Sequence, residues 1–358
     1  MRPEKLPAVS DRVRTITREA YPDLNVPIHG RFRHFGNHLR ELDRRLRELD
    51  TASMARARID LVVTSVLLDA GAGKRWCFRE PGTGVELSRS EGLAVASFHM
   101  FLDGAFSHRE EQGELCATAQ GLARIDEDTL ARGFQAGPEN PLVGLEGRAQ
   151  LLRDLGAALE AHPELFGPET RGGDPRPGNL FDHVPGDARE ILSAVLTGFE
   201  TIWPSRLTLD GVNLGDVWRH PKAGGEGPSA GLIPFHKLSQ WLTYSLVEPF
   251  ELAGVAVDNI DALTGLAEYR NGGLFVDMGV LEPKHDGVTA EAHAPDSEII
   301  VEWRALTIAL LDRVARELDM PLAKVLEGGT WQAGRAVARE RRRDGSPPIR
   351  IISDGTVF

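Results

Sequence analysis

Apolar positions along the chain recur mostly at helical spacing. Leu238, Trp241, Leu242, Ser245 and Leu246 follow the i, i+3, i+4, i+7, i+8 pattern of a buried stripe. They predict an amphipathic helix with Pro234 as a first-turn residue, where its missing N–H costs nothing. Lys237, Gln240, Tyr244 and Glu248 run along a neighbouring face. Leu39, Leu42, Leu46 and Leu49 predict another helix, and Ile59 to Leu68 a more deeply buried one that stops at Gly71-Ala-Gly73. Further stripes predict helices over 88–106, 145–159, 187–203, 297–318 and 322–343. Residues 1–29, punctuated by Pro3, Pro7, Pro22 and Pro27, read as an irregular arm with some helix. Strand-like runs are few and short, and no βαβ alternation is present, so neither a doubly wound sheet nor a (β/α)8 barrel is expected. The expected fold is a mainly α, multi-helix globular protein with a few short strands.

The stretch after the central helix is less regular. Asp261 ahead of Ala-Leu-Thr264 reads as a helix start. Asn271-Gly272-Gly273 should break that helix after two turns. Glu268, Tyr269 and Arg270 would then sit at a chain reversal, where Gly-Gly lets backbone approach a ligand. The run Leu274-Phe275-Val276 leads to Asp277. Two acids, an Arg and a Tyr beside a forced turn suit a reaction centre; they equally suit a Glu–Arg surface pair at a helix end.

Composition narrows the function classes. The chain has 358 residues, 41% of them hydrophobic, and a net charge of −12. That balance argues against a sequence-independent nucleic-acid binder, which needs a basic face, but leaves room for a nucleotide in a local basic pocket. Cys77 and Cys116 are the only cysteines, and they form neither a disulfide framework nor a metal pattern. No secretory leader and no membrane-length apolar run is apparent. A soluble, cytoplasmic protein is expected. The segment 167–186 is the richest in Pro and Gly and divides an N-terminal helical region, 1–185, from a C-terminal one, 186–358, that carries the candidate site. The two are expected to form one compact unit.

His236 and Lys237 sit in a first helical turn, where the dipole already favours negative charge. A bound anion such as phosphate would explain them. Ser88 with Glu91 matches a capping box; Arg89 between them either faces an anion or is solvated, and the latter reading is preferred. His34 and His38 are four apart, a zinc-like spacing, but lack the intervening acid of a metalloprotease and read as hydrogen-bonded histidines. Phosphate-binding and dinucleotide glycine motifs, a nucleophile elbow and paired CxxC motifs are all missing. What survives is chemistry run by carboxylates, with recognition by Lys, Arg and aromatic rings and no metal or cofactor assigned.

Three phrases, RSEGLAV, FHKLSQWLTYSLVEP and LTGLAEYRNGGLFVDMGVL, resemble the family of the non-reductive uracil catabolism pathway, in places labelled uracil phosphoribosyltransferase. The resemblance covers nearly the whole chain. A more distant one is to queuosine 5′-phosphate N-glycosidases, the queuosine salvage proteins. These carry an F-x-K helix start, an F-A-D-Y-R turn and a V-E-x-R helix, and here Phe235-His-Lys237, Leu266-Ala-Glu-Tyr-Arg270 and Val301-Glu-Trp-Arg304 stand in that order. Their essential Asp lies in the D-Y-R turn, where this chain has the longer Glu268. The resemblance implies an all-α, DNA-glycosylase-like fold. It also implies a hydrolase that cleaves the N-glycosidic bond of a ribosylurea-type nucleotide, releasing urea and ribose phosphate. On that reading Glu268 is catalytic and Asp277 relays a proton. Lys237, His236, Arg270, Trp241, Tyr244, Tyr269, Asn271 and Gln240 bind the substrate. The partner is a small nucleotide or ribosylurea phosphate, not nucleic acid or membrane. Two alternatives are a uracil phosphoribosyltransferase and a non-catalytic nucleotide-binding helical protein.

Overall fold

Helices begin where capping residues precede apolar runs. In the computed structural model, which describes residues 1–69, 71–108, 114–168, 173–203 and 206–352, the side chains of Asp50, Asp187 and Ser297 each accept an N–H from the first turn that follows. The protein is mainly helical. The helices of nine residues or more among the described residues are α1 (Leu6–Ala20), α2 (Thr51–Leu67), α3 (Arg89–Leu102), α4 (Leu145–Ala161), α5 (Ala188–Gly198), α6 (Lys237–Leu252), α7 (Tyr269–Asp277), α8 (Glu298–Leu318) and α9 (Trp331–Arg341). The strands are two or three residues long and pair into two-stranded ladders. They are β1 (Phe78–Arg79) with β2 (Glu86–Leu87), β3 (Thr208–Leu209) with β4 (Val212–Asn213), β5 (Val217–Arg219) with β6 (Leu232–Pro234), and β7 (Ala292–His293), parallel to β8 (Arg350–Ile351).

Helix α2 lies at the centre. From Ile59 to Leu67 every residue is buried, as expected for a helix packed on all sides. It touches α3, α6 and the turn at 177–179. Its buried Asp60 accepts from the N–H groups of Ala117 and Gly178 and from Arg176 Nε at 2.6–2.9 Å, so the charge is fully hydrogen-bonded. One apolar cluster runs from Leu6 through α2, α3 and α6 to Ile349, drawing on both halves of the chain.

Several sequence expectations are corrected. Residues 6–20 form a regular helix whose Pro7 sits in the first turn, where proline is tolerated. Pro234 ends β6 and lies outside α6, which begins at Lys237. The capping box does not form: the Ser88 hydroxyl makes no cap bond, and the Glu91 carboxylate pairs with Arg335 at 3.0 Å. The last helix is interrupted by a wide turn over Leu326–Thr330. Beyond the last helix, Arg350–Ile351 form β8, the extended segment that could add a strand; residues 353–358 lie outside the described residues.

The largest correction concerns Gly272 and Gly273, which stand inside α7 rather than ending a helix. Here glycine serves close packing. A Cβ on Gly272 would lie 2.7 Å from Thr307 Oγ1 and from Trp303 Nε1, both on α8. On the other flank, a Cβ on Gly334 of α9 would lie 2.2 Å from the Arg270 carbonyl. The two glycines let α8 and α9 press α7 from both sides.

A buried ion pair sets the start of α6. Asp216, just before β5, accepts both terminal nitrogens of Arg304 at 2.7 Å, the Trp218 indole at 2.7 Å and the Lys237 N–H at 3.0 Å. Arg304 also donates from Nε to the Ala267 carbonyl at 3.3 Å and lies 4.0 Å from the Phe235 ring centre. Burial raises the Asp216 pKa, but Arg304 and the other donors outweigh it and hold it at about 2. A depressed carboxylate pKa contributes stability above its ordinary value of 3.8, and that contribution is lost as pH falls from about 4 towards 2. Asp216→Ala, which strips a buried guanidinium of its carboxylate, should lower unfolding stability at pH 7 by about 3–5 kcal/mol. Chemical denaturation would measure this; a loss below 1 kcal/mol would count against the pair's role.

Candidate functional site

Three helices, α3, α6 and α7, open onto one cavity of about 770 Å³. Ser88, Arg89 and Ser90 reach it from the start of α3, Lys237 and Trp241 from α6, and Glu268 to Asn271 from α7. Each helix N-terminus brings partial positive charge; the start of α3 has no side-chain cap, while Asp216 and Glu268 take first-turn N–H groups of α6 and α7. The cavity is therefore suited to anions before any side chain is considered.

Glu268 is the cap of α7. Its two carboxylate oxygens accept the N–H groups of Arg270, at 2.8 Å, and Asn271. A glutamate is an unusual cap, since shorter Asp, Asn, Ser and Thr are preferred. Here the extra methylene leaves the carboxylate clamped by backbone yet facing the cavity. Burial raises its pKa, and the two N–H groups, Lys237 and Arg270 hold it back only in part. Lys237 is the first residue of α6 and lines the same cavity. Burial and Arg304 lower its pKa, while Glu268, Asp216 and Asp69 oppose the fall. The two groups, thirty-one residues apart, thus stand within each other's electrostatic reach.

Tyr269, Arg270, Asn271 and Trp241 complete the wall. The guanidinium of Arg270 lies 5.1 Å from the Tyr269 ring centre and 5.7 Å from that of Trp331. Arg270 Nε, Asn271 Oδ1 and Trp241 Nε1 are buried without a hydrogen-bond partner.

Four expected site residues stand elsewhere. Asp277, at the far end of α7, gives both oxygens to Arg342, and it does not line the cavity. Nine residues of helix, about 13 Å of rise, separate it from Glu268. The Tyr244 hydroxyl donates to the Thr264 carbonyl at 3.1 Å, and Gln240 Oε1 accepts the Thr264 N–H at 3.0 Å; both fix the loop before α7. His236 holds a left-handed backbone, φ 45°, at the turn from β6 into α6 and is not part of the wall.

Other cavity residues were not assigned to the site from the sequence. Asp69 pairs with the fully buried Arg31 at 3.0 Å and accepts the Ser90 hydroxyl. His29 Nδ1 lies 2.8 Å from Glu327, and His34 stands against the Trp241 ring at 6.1 Å. Arg89 is exposed but lines the cavity mouth, and it has no ion-pair partner among the described residues. The helix-start motif at Ser88 was a usable signal for Arg89; nothing in the local sequence marked Asp69, His29 or Trp331.

Away from the cavity, His220 faces Glu298 and Glu302 at 3.8 and 3.7 Å. Its Nδ1 accepts the Lys222 N–H at 3.1 Å, so in the neutral ring Nε2 carries the proton and faces the acids as a donor rather than as a metal ligand. No helix among the described residues is long and apolar enough to cross a membrane.

The profile of a family described as "Protein of unknown function (DUF1688)" matches residues 1–358. The chain is 38% identical to uracil catabolism protein 4 of Lachancea kluyveri, over 93% of this chain and 85% of that protein. It is 39% identical to protein urg3 of Schizosaccharomyces pombe, over 99% of this chain and 91% of that one.

His34 offers a check on how dry the cavity wall is. Burial, then the charges of Arg31 and His29, lower its pKa to about 3. In the unfolded chain it titrates near its ordinary 6.5, so unfolding takes up a proton below that pH and stability drops as pH falls from about 6.5 to 3. The His34 ring resonances should stay those of a neutral imidazole down to about pH 4 by NMR. A midpoint near 6 would show the wall to be open to water.

Proposed function

The chain belongs to the DUF1688 family, and from that premise and the cavity we propose that it is a hydrolase of uracil breakdown acting on the N-glycosidic bond of a ribosylurea-type nucleotide. The family's uracil-catabolism relatives support the pathway. The observation that supports the reaction is that Glu268 and Lys237 line one cavity and act on each other electrostatically.

Cleavage of such a bond develops positive charge at the anomeric carbon while the departing nitrogen gains an electron pair. Glu268, immobilised by two backbone N–H groups, presents a fixed negative charge to that carbon. Preorganised charge of this kind stabilises the transition state without reorganising as it forms. Lys237, acidified by burial, donates a proton to the urea nitrogen as the C–N bond breaks. Water adds to the anomeric carbon and yields its proton to Glu268, whose raised pKa suits a general base. The products are urea and the free sugar, and proton return from Glu268 to Lys237 restores the site.

The cationic mouth takes the phosphate. Arg89, the first residue of the uncapped α3, and Arg270 line the same cavity, where N–H groups and guanidinium forks both suit phosphate oxygens. Trp241 and Tyr269 wall the sugar and leaving group.

Glu268→Gln should reduce the rate of urea release from ribosylurea 5′-phosphate by about 10²–10⁴-fold. Losing an acceptor at the cap should cost only about 1 kcal/mol of stability. The pH profile of kcat/KM should be a narrowed bell. Its acid limb lies above the ordinary 4.5 of glutamate, which must be ionised, and its alkaline limb below the ordinary 10.5 of lysine, which must be protonated. Undiminished urea release by the folded variant would reject the reading. Formation of uridine 5′-phosphate from uracil and phosphoribosyl diphosphate would replace it with the transferase.

A further inference from the structure

We propose that His38, Glu80 and His99 form a binding site for a zinc-class divalent cation, separate from the cavity. The three come from different segments. His38 ends the turn Gly36–His38, Glu80 follows β1 in the β1–β2 hairpin, and His99 lies on α3. One ligand-capable atom from each lies within 4.8 Å of the other two.

The spacing suits a metal. His38 Nε2 is 3.2 Å from Glu80 Oε1, close to the edge of about 3.3 Å in a tetrahedron with bonds of about 2.0–2.1 Å. A simple hydrogen-bonded His38–Glu80 pair would also give that distance. It would not account for the third member. His99 Nε2 is buried with no hydrogen-bond partner, and a buried polar nitrogen left unpaired is costly. A cation held between the three uses that lone pair.

The surroundings resemble those of a built site. The second oxygen of Glu80 accepts the Thr83 hydroxyl at 2.6 Å, the kind of outer contact that orients a ligating carboxylate. The Glu80 backbone is itself fixed, its N–H donating to Val85 and its carbonyl accepting from Gly84, both at 2.9 Å. The rings of Phe98 and Phe78 stand 5.6 Å from His38 and 5.9 Å from His99 and limit water. Two imidazoles and one carboxylate are a borderline-soft donor set, fitted to zinc rather than to calcium or magnesium, which prefer all-oxygen shells. Water would supply the fourth position. The bound ion would tie the 36–38 turn and the hairpin to α3, the helix whose start lines the cavity.

The test uses the full-length, tag-free chain. Elemental analysis after purification without chelator should find about one zinc per chain. Chelation should lower Tm and added Zn²⁺ restore it. Co²⁺ in place of zinc should give the intense visible bands of a four-coordinate site. His99→Ala should abolish binding and the Tm response, while His285→Ala, in the exposed loop after α7, should retain both. Absence of stoichiometric zinc, with no Tm response of the stripped wild-type chain to added Zn²⁺, would overturn the proposal. So would binding that survives His99→Ala. The wild-type measurements stand even if His99→Ala does not fold, and none depends on turnover, so the outcome is independent of the proposed glycosidase.

Discussion

The pairing of Asp216 with Arg304 holds the site together. Asp216 accepts the N–H that starts α6, and Arg304 reaches across to the Ala267 carbonyl, one residue before Glu268. Lys237 and Glu268 are therefore positioned by the two ends of one ion pair. Nearly the whole pair is buried, 13% of the Asp216 side chain and 2% of the Arg304 side chain remaining exposed. Such burial is costly unless every oxygen and nitrogen finds a partner. Asp216 meets that condition through four donors, which is why it remains ionised in apolar surroundings.

The cavity balances opposing electrostatic effects. Burial drives both Glu268 and Lys237 towards neutrality, one upward in pKa and the other downward. The N–H groups of α7 and the mutual attraction of the two side chains resist that drift. The result is a carboxylate that is a stronger base and an ammonium that is a stronger acid than either would be in water. Glycine makes the arrangement possible: a Cβ at position 272 or 334 would push α7 off α8 or α9, and Glu268 caps α7.

The same structural demand recurs around α3. Its N-terminus, left without a side-chain cap, faces the cavity with Arg89, and its third turn carries His99 towards His38 and Glu80. Anything that steadies this helix against the hairpin also steadies the mouth of the cavity.

The mainly helical class and the run of α8 were legible in the sequence, because periodicity and capping are local properties of neighbouring residues. So was the suspicion attached to Glu268, Arg270 and Lys237. The chain alone was misleading on the Gly-Gly pair: local propensity makes it a breaker, and only the nearness of Trp303, Thr307 and Pro348 makes it a packing device. It was equally silent on Asp69, Asp216 and Trp331, ordinary side chains until distant segments meet around them. Asp277 and Tyr244 show the converse, suggestive in sequence but given other partners by the fold. Residue type and spacing determine which helices form and where they start; which side chains share a cavity depends on long-range packing, to which no short stretch of sequence holds the key.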